Sequence, residues 1–239
     1  MLALSTLLKG SPLLPIIQTD QPAQAVAIAK AMAAGGVTAV EVVLRTELAL
    51  KAITAIRQAC PELLVGAGTV LNAQQAQSCV WAGAQFLVSP CATEKLLAGM
   101  LSTGLPVAPG VSTVTEMATA HELGLNELKF FPAHLSGGVG MLQAVRSILP
   151  KVRFCPTGGI GLHNLGEFLK QPNVFVAGGS WLTPADVLKS ADYAAITALT
   201  AQSLEIAATV LADKAGLAVA GGSVAGAEPQ LQPSIKKTA

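Results

Sequence analysis

Short strand-like runs recur along this chain at intervals of roughly 21 to 26 residues, each followed by an alanine-rich stretch with helical spacing. That cadence restricts the fold more than any other feature, because strands joined through helices return to pair in parallel. The expected strands are Leu13–Gln18, Ala39–Leu44, Leu63–Ala67, Gln85–Ser89, Pro106–Pro109, Glu127–Phe131, Arg153–Pro156 and Val174–Ala177. Between and after them, Pro22–Ala34, Glu47–Ala59, Ala73–Ala82, Thr93–Ser102, Thr113–Leu123, Gly138–Ile148, Leu162–Leu169 and a long last stretch from Pro184 to Ala212 read as helices. Asp20 ahead of Pro22, Asn72, Thr93, and Thr183 ahead of Pro184 supply helix-entry signals. Strands that are apolar on both faces belong in a parallel sheet covered by helices, so about eight βα units predict an α/β protein closed into a (β/α)8 TIM barrel.

With 239 residues and 51% hydrophobic content, the chain can bury one large core. The barrel is expected over 1–214, and the Gly-, Ala-, Pro- and Gln-rich stretch 215–239 reads as a flexible tail. A formal net charge of +1 leaves no broad footprint for nucleic acid or anionic lipid, so any anion site is local. Cys60, Cys79, Cys91 and Cys155 have no CxxC spacing; reduced, packed thiols and a cytoplasmic location are expected. The first ten residues lack the pattern of a secretory leader, and Gly, Pro or charge breaks the longest apolar stretches, so no membrane association is expected.

Only 12% of residues are charged, which makes charges inside predicted strands conspicuous. Lys129 lies in the apolar run Glu127-Leu128-Lys129-Phe130-Phe131-Pro132-Ala133, and Glu41 and Arg45 lie in Val40-Glu41-Val42-Val43-Leu44-Arg45-Thr46. A buried ammonium is costly without a partner, so such a lysine usually has a chemical use. Downstream, Thr157-Gly158-Gly159 and Ala177-Gly178-Gly179-Ser180 end the last two strands with residues small enough to let backbone amides close on a phosphate. In a barrel the strand C-termini share one mouth, which would gather Arg45, Thr46, Thr69, Ser89-Pro90, Lys129 and both glycine motifs. Together they suggest amine catalysis on a small phosphorylated carbonyl compound.

Each feature has a plainer reading as well. Lys129 could snorkel at a barrel rim, Glu41 and Arg45 could form a structural ion pair along one strand face, and either glycine motif could be ordinary turn chemistry. Trp181 could pack under the last glycine loop, and Phe131 could belong to the core or line the site. His121, His134 and His163 follow different strands and form no short-spaced ligand set, so no metal is expected.

Several segments, in order, carry a family likeness: Glu41-Val42-Val43-Leu44-Arg45-Thr46, Val65-Gly66-Ala67-Gly68-Thr69-Val70-Leu71-Asn72, Pro109-Gly110-Val111-Ser112-Thr113, Leu128-Lys129-Phe130-Phe131-Pro132-Ala133, Arg153-Phe154-Cys155-Pro156-Thr157-Gly158-Gly159-Ile160 and Gly178-Gly179-Ser180-Trp181. From about residue 11 to 212 the chain resembles the 2-keto-3-deoxy-6-phosphogluconate (KDPG) aldolases, which also act on 4-hydroxy-2-oxoglutarate (KHG). The resemblance implies a metal-independent class I aldolase without cofactor, assembled as a homotrimer on a (β/α)8 barrel. Its substrate is a phosphorylated keto acid, split to pyruvate and glyceraldehyde 3-phosphate in the Entner–Doudoroff route. By the same resemblance Lys129 is the Schiff-base lysine, Glu41 shuttles protons, and Arg45 and Thr69 hold the pyruvyl carboxylate. Thr157 is implied in the stereochemical preference at C4 and favours the gluconate over the galactonate epimer, while Gly158, Gly159, Gly179 and Ser180 cradle the phosphate. Pro90 and Phe131 are candidates for lining the site. The chain departs from the pattern at His134, where many relatives have an acidic residue, and at Cys91, where they often have glycine. A phosphosugar isomerase or epimerase on the same barrel, or a noncatalytic barrel that binds a phosphorylated ligand, are the alternatives.

Overall fold

The computed structural model describes residues 2–221. After a short helix α1 (Leu4–Leu7), strands and helices alternate: β1 (Leu13–Ile17), α2 (Pro22–Ala34), β2 (Ala39–Val43), α3 (Ala49–Ala59), β3 (Leu64–Gly68), α4 (Ala73–Trp81), β4 (Leu87–Val88), α5 (Glu94–Leu101) and β5 (Val107–Ala108). There follow β6 (Gly110–Val111), α6 (Val114–Glu122), β7 (Glu127–Phe130), α7 (Gly138–Arg146), β8 (Arg153–Pro156), α8 (Leu165–Lys170), β9 (Ala177–Gly179), α9 (Ala185–Ser190) and α10 (Tyr193–Gly221). The result is an α/β fold with a curled, parallel six-stranded sheet in the order β5-β4-β3-β2-β1-β9 and a three-stranded sheet β6-β7-β8.

One continuous eight-stranded ladder was expected, and the hydrogen bonding departs from it at two places. The fifth strand, expected as Pro106–Pro109, is divided: β5 pairs with β4, β6 pairs with β7, and Pro109, which has no N–H to give, stands between them. Between β8 and the chain around β9 only isolated parallel bridges form, Phe154 with Val174 and Thr157 with Gly178.

Alternation along the strands sorts their side chains into two sets. Leu13, Ile17, Val40, Val42, Val65, Ala67, Leu87, Leu128, Phe130 and Phe154 join the helices in the main core. Leu14, Ala39, Phe86, Val88, Ala108 and Cys155 face the other way and form a second cluster with Leu4 and Leu8 of the α1 region. Glu41 and Lys129 lie between residues of the first set and therefore share the face of the second.

Helix starts follow local chemistry where a side chain can reach the backbone. Asn72 accepts from the Gln75 amide at 2.8 Å and Thr93 from the Leu96 amide at 3.3 Å, as their positions predicted. Asp20 and Thr183 do not cap: the residues at those starts are Gln21 and Pro184, without a side-chain bond. α3 begins at Ala49 rather than Glu47, and α8 at Leu165 rather than Leu162. The last helix is divided at Ala191, whose φ of 53° is left-handed, and α10 then runs to Gly221. Residues 215–221, expected as tail, thus continue the helix; 222–239 lie outside the described residues.

Contrary to the reading of broken apolar stretches, Tyr193–Lys214 is long and apolar enough to cross a membrane, with a mean hydropathy of 1.4. In this fold the helix packs on α2 and α8 through the buried stripe Ile196, Thr200, Ser203, Ala207 and Val210. Thr200 sits so close to Gly35 that a Cβ on that glycine would stand 2.5 Å from the threonine Cβ.

At the strand N-termini α1 closes the second cluster. Its Ser5 amide donates to Glu127 Oε2 at 2.9 Å, the Ser5 hydroxyl donates to Oε1, and Arg153 pairs with the same carboxylate. Glu127→Ala removes the acceptor shared by all three donors, in bonds that are each only partly open to water. A loss of about 2–3 kcal/mol is expected, read as a melting temperature several degrees lower in a calorimetric or circular-dichroism scan. An unchanged melting temperature would show that this carboxylate does not anchor α1.

Candidate active site

Lys129 is the register partner of Gly110 on one side and Cys155 on the other, while Glu41 sits between Ile16 and Gly66. From these separate sheets the two side chains meet: Lys129 Nζ donates to Glu41 Oε1 at 3.2 Å, with 4% and 0% of their side chains exposed. Burial at that level rules out a snorkelling lysine. It also makes each charge depend on the other, since an unpaired ion in a dry interior costs several kcal/mol. The second carboxylate oxygen, Glu41 Oε2, is buried and has no hydrogen-bond partner among the described residues. Such an orphan costs on the order of 1–3 kcal/mol unless a polar group satisfies it. The structural ion pair between Glu41 and Arg45 does not form; Arg45 is exposed and donates to Gln18 Oε1 at 3.3 Å.

Glycines on β3 make the room for this arrangement. A Cβ on Gly68 would stand 1.9 Å from Glu41 Oε1, and one on Gly66 would stand 2.0 Å from the Phe86 ring. The carboxylate and the ring thus occupy space that any larger residue would take. On the other side of Lys129, Cys155 lies buried, its thiol pushed up to about 12 by desolvation, with the lysine charge opposing and the Glu41 charge adding. It stays a neutral thiol.

A cleft of about 290 Å³ opens beside the pair at the strand C-termini, with walls from Gln18, Arg45, Phe131 and Thr157 and from the glycines after β8 and on β9. Phe131 connects the two, since Lys129 Nζ lies 5.4 Å from its ring centroid. Gly158 and Gly159 adopt φ of 95° and 75°, a region that side-chain-bearing residues avoid. Asn164 fixes their loop, donating to Gly159 O at 2.8 Å and accepting from the Gly161 amide at 2.9 Å. Across the cleft, Gly179 is backed by Trp181, whose ring would lie 2.5 Å from a Cβ there and whose indole donates to Ser203 of α10 at 3.0 Å. Trp181 therefore packs under this loop, and Ser180 is exposed on the cleft wall.

Thr157 is buried between β8 and β9, with a Cβ on Gly178 predicted only 2.5 Å from its hydroxyl. Thr69 and Pro90 lie at the ends of β3 and β4 rather than on this cleft's walls. Thr69 holds φ of 58°, a strained conformation for a β-branched residue and one that clusters at functional sites. Pro90 is wedged against Gly110, where a Cβ would meet its carbonyl carbon at 2.3 Å. Gln18, Asn164 and Gly68 were not singled out from sequence. Gln18 could have been found as the last residue of the predicted first strand, on the same mouth as Arg45.

His121 is occupied locally, its Nδ1 2.6 Å from Asn126 Oδ1. Among the described residues no three of His, Cys, Asp and Glu stand together as a metal-ligand set. Cys60, Cys79 and Cys155 are buried and Cys91 half-buried, all as free thiols.

Residues 4–199 match the aldolase family described as KDPG and KHG aldolase. The chain is 48% identical over 198 residues to the 2-dehydro-3-deoxy-phosphogluconate aldolase of Dickeya dadantii (strain 3937), covering 83% of this chain and 93% of that one. It is also 48% identical over 200 residues to the KHG/KDPG aldolase of Escherichia coli (strain K12), covering 84% and 94%. Among solved structures, the KDPG aldolase of Legionella pneumophila, with pyruvate captured as a covalent carbinolamine intermediate, superposes with a TM-score of 0.80 at 40% identity, covering 82% of this chain and 96% of that chain. The enzyme of Zymomonas mobilis ZM4 with 3-phosphoglycerate gives a TM-score of 0.78 at 38% identity, covering 83% and 93%. This chain belongs to the KDPG and KHG aldolase family.

Proposed function

We propose that the protein is a class I aldolase that reversibly cleaves KDPG to pyruvate and glyceraldehyde 3-phosphate, and KHG to pyruvate and glyoxylate. The buried contact of Lys129 with Glu41, with one carboxylate oxygen left unpartnered, carries this reading. The carbinolamine captured in the Legionella pneumophila relative supports it, because a carbinolamine of pyruvate requires an amine nucleophile.

In this reading Lys129 passes its proton to Glu41, the neutral amine adds to the C2 ketone to form a carbinolamine, and Glu41 returns the proton to the departing hydroxyl, so that water leaves, an iminium forms and the carboxylate is regenerated. Glu41, acting through a water, takes the proton from the C4 hydroxyl. The C3–C4 bond then breaks, its electron pair moves to the iminium nitrogen, and glyceraldehyde 3-phosphate leaves. The remaining enamine takes a proton at C3, and hydrolysis of the imine releases pyruvate and restores the amine. Arg45 offers a planar fork to the substrate carboxylate, aided by Thr69, and Thr157 faces C4. Gly158, Gly159, Gly179 and Ser180 hold the phosphate, and the 3-phosphoglycerate present with the Zymomonas mobilis relative supports a phosphate-bearing substrate. Phe131 shapes a wall of the cleft, and Pro90 borders the site from the end of β4. Neither metal nor cofactor takes part.

The same reading extends to the setting of the site. The two bridges between β8 and the β9 region, and the single inward cluster drawn from β1, β2, β4, β5 and β8, support a closed (β/α)8 barrel over 1–214. Free, buried thiols support a cytoplasmic location. Trp81, 78% exposed, and Leu71, 50% exposed, offer apolar surface for a homotrimer contact.

Borohydride reduction in the presence of pyruvate is expected to trap a covalent adduct on Lys129, and Lys129→Ala is expected to lose the adduct and at least about 10³-fold in kcat. An unmodified wild-type protein would favour an isomerase or epimerase instead, and ligand binding without pyruvate release would favour a noncatalytic barrel. Glu41→Gln should keep the adduct and lower kcat by about 10²- to 10⁴-fold. Gly68→Ala, by displacing the carboxylate, should reduce kcat more than tenfold while the protein still folds; unaltered kinetics would show that Glu41 need not hold its observed position.

A further inference from the structure

His134 stands at the phosphate end of the cleft without a part in the reaction above. Its backbone N–H donates to Gly158 O at 3.1 Å, and its Cβ and Cγ lie 2.5 and 3.1 Å from the place a Cβ on Gly159 would take. The residue is thus anchored against both glycines of the cradle, and its side chain is exposed.

Charge balance gives that imidazole a use. Among the described residues Arg45 is the only charged one on the cleft walls, and the proposed reading gives it to the substrate carboxylate. A phosphate monoester carries about −1.5 to −2 charge at pH 7, so the other end of the substrate would otherwise meet only uncharged donors. In the segments that build that end, 131–137, 157–164 and 179–184, His134 and His163 are the titratable side chains. His163 lies one step further along its loop, against Gly161. The helices that follow bring Glu167 and Asp186 in their first turns, both facing solvent.

Resting on the aldolase reading, we infer that His134 is a specificity residue for phosphorylated substrate, its imidazolium supplying the phosphate end with a positive charge. Imidazoles change charge between about pH 5 and 8, which makes that interval the one over which the charge is tested. It acts on binding rather than on bond cleavage, and therefore on KM for KDPG and not on the imine chemistry.

The test is KM for KDPG and for KHG, which has no phosphate, between about pH 6 and 8.5 in the wild type, His134→Gln and His134→Glu. Because the substrate phosphate titrates in the same range, the quantity read is the variant-to-wild-type ratio at each pH. For KDPG with His134→Gln the ratio is expected to be about three- to tenfold near pH 6 and to approach unity near pH 8.5, with a larger loss for His134→Glu. The shift for KHG should be several-fold smaller. A ratio that is flat with pH, or equal losses on both substrates, overturns the inference and leaves the aldolase reading standing. If the wild type turns over neither substrate, the aldolase reading fails, and calorimetry with inorganic phosphate decides the matter: tighter binding by the wild type than by His134→Gln at the acidic end only supports the charge, and equal affinities overturn it.

Discussion

The contact between Lys129 and Glu41 joins β7 to β2, strands from different hydrogen-bonded sheets, through two charges withdrawn from water. Neither charge could remain buried without the other, so the strands that carry them must be held at one distance and one register. Much of the inward face follows from that demand. Gly68 is bare where the carboxylate lies, Gly66 is bare where Phe86 fills the space below, and Cys155 places a small neutral group on the other flank of the lysine. Larger residues at these positions would push the pair apart, and polar ones would compete for it.

Along the same inward face the chemistry changes in layers. At the strand N-termini Glu127 and Arg153 tie down Ser5 of α1, and the leucines beside it seal an apolar layer. Above that layer lies the buried ion pair, and above the pair the walls become glycine, serine and threonine around an open cleft. On the proposed reading, the order suits a site that keeps an amine dry while admitting a substrate with two anionic groups. Stability is concentrated at one end and reactivity at the other, a division available to a parallel sheet because all its strands point the same way.

Much of this could be read from residues in sequence. Lys129 and Glu41 stood out because charge inside a short apolar run is expensive, and Thr157-Gly158-Gly159 because adjacent glycines after a strand release the backbone. Asn72 and Thr93 were legible as caps since the hydrogen bonds they make are three residues long. Other features had no local signal. α1 spans only four residues, too few for a helical period to show, and the break between α9 and α10 falls on an alanine, an ordinary helix former, held at positive φ. The importance of Gly68, and the service of Gln18 and Asn164, appear only with their partners in view.

The sequence alone determined the succession of parallel strands and helices, the residues able to do imine chemistry and the small residues able to admit a phosphate, because periodicity, charge and missing side chains are properties of neighbours along the chain. Tertiary structure alone decided that Lys129 meets Glu41 rather than solvent, that Arg45 binds Gln18 rather than Glu41, and that α10 lies against α2 and α8. Those outcomes depend on which distant segments share a face and a depth. Burial and pairing energies are set by the folded neighbourhood, and no stretch of sequence contains that neighbourhood by itself.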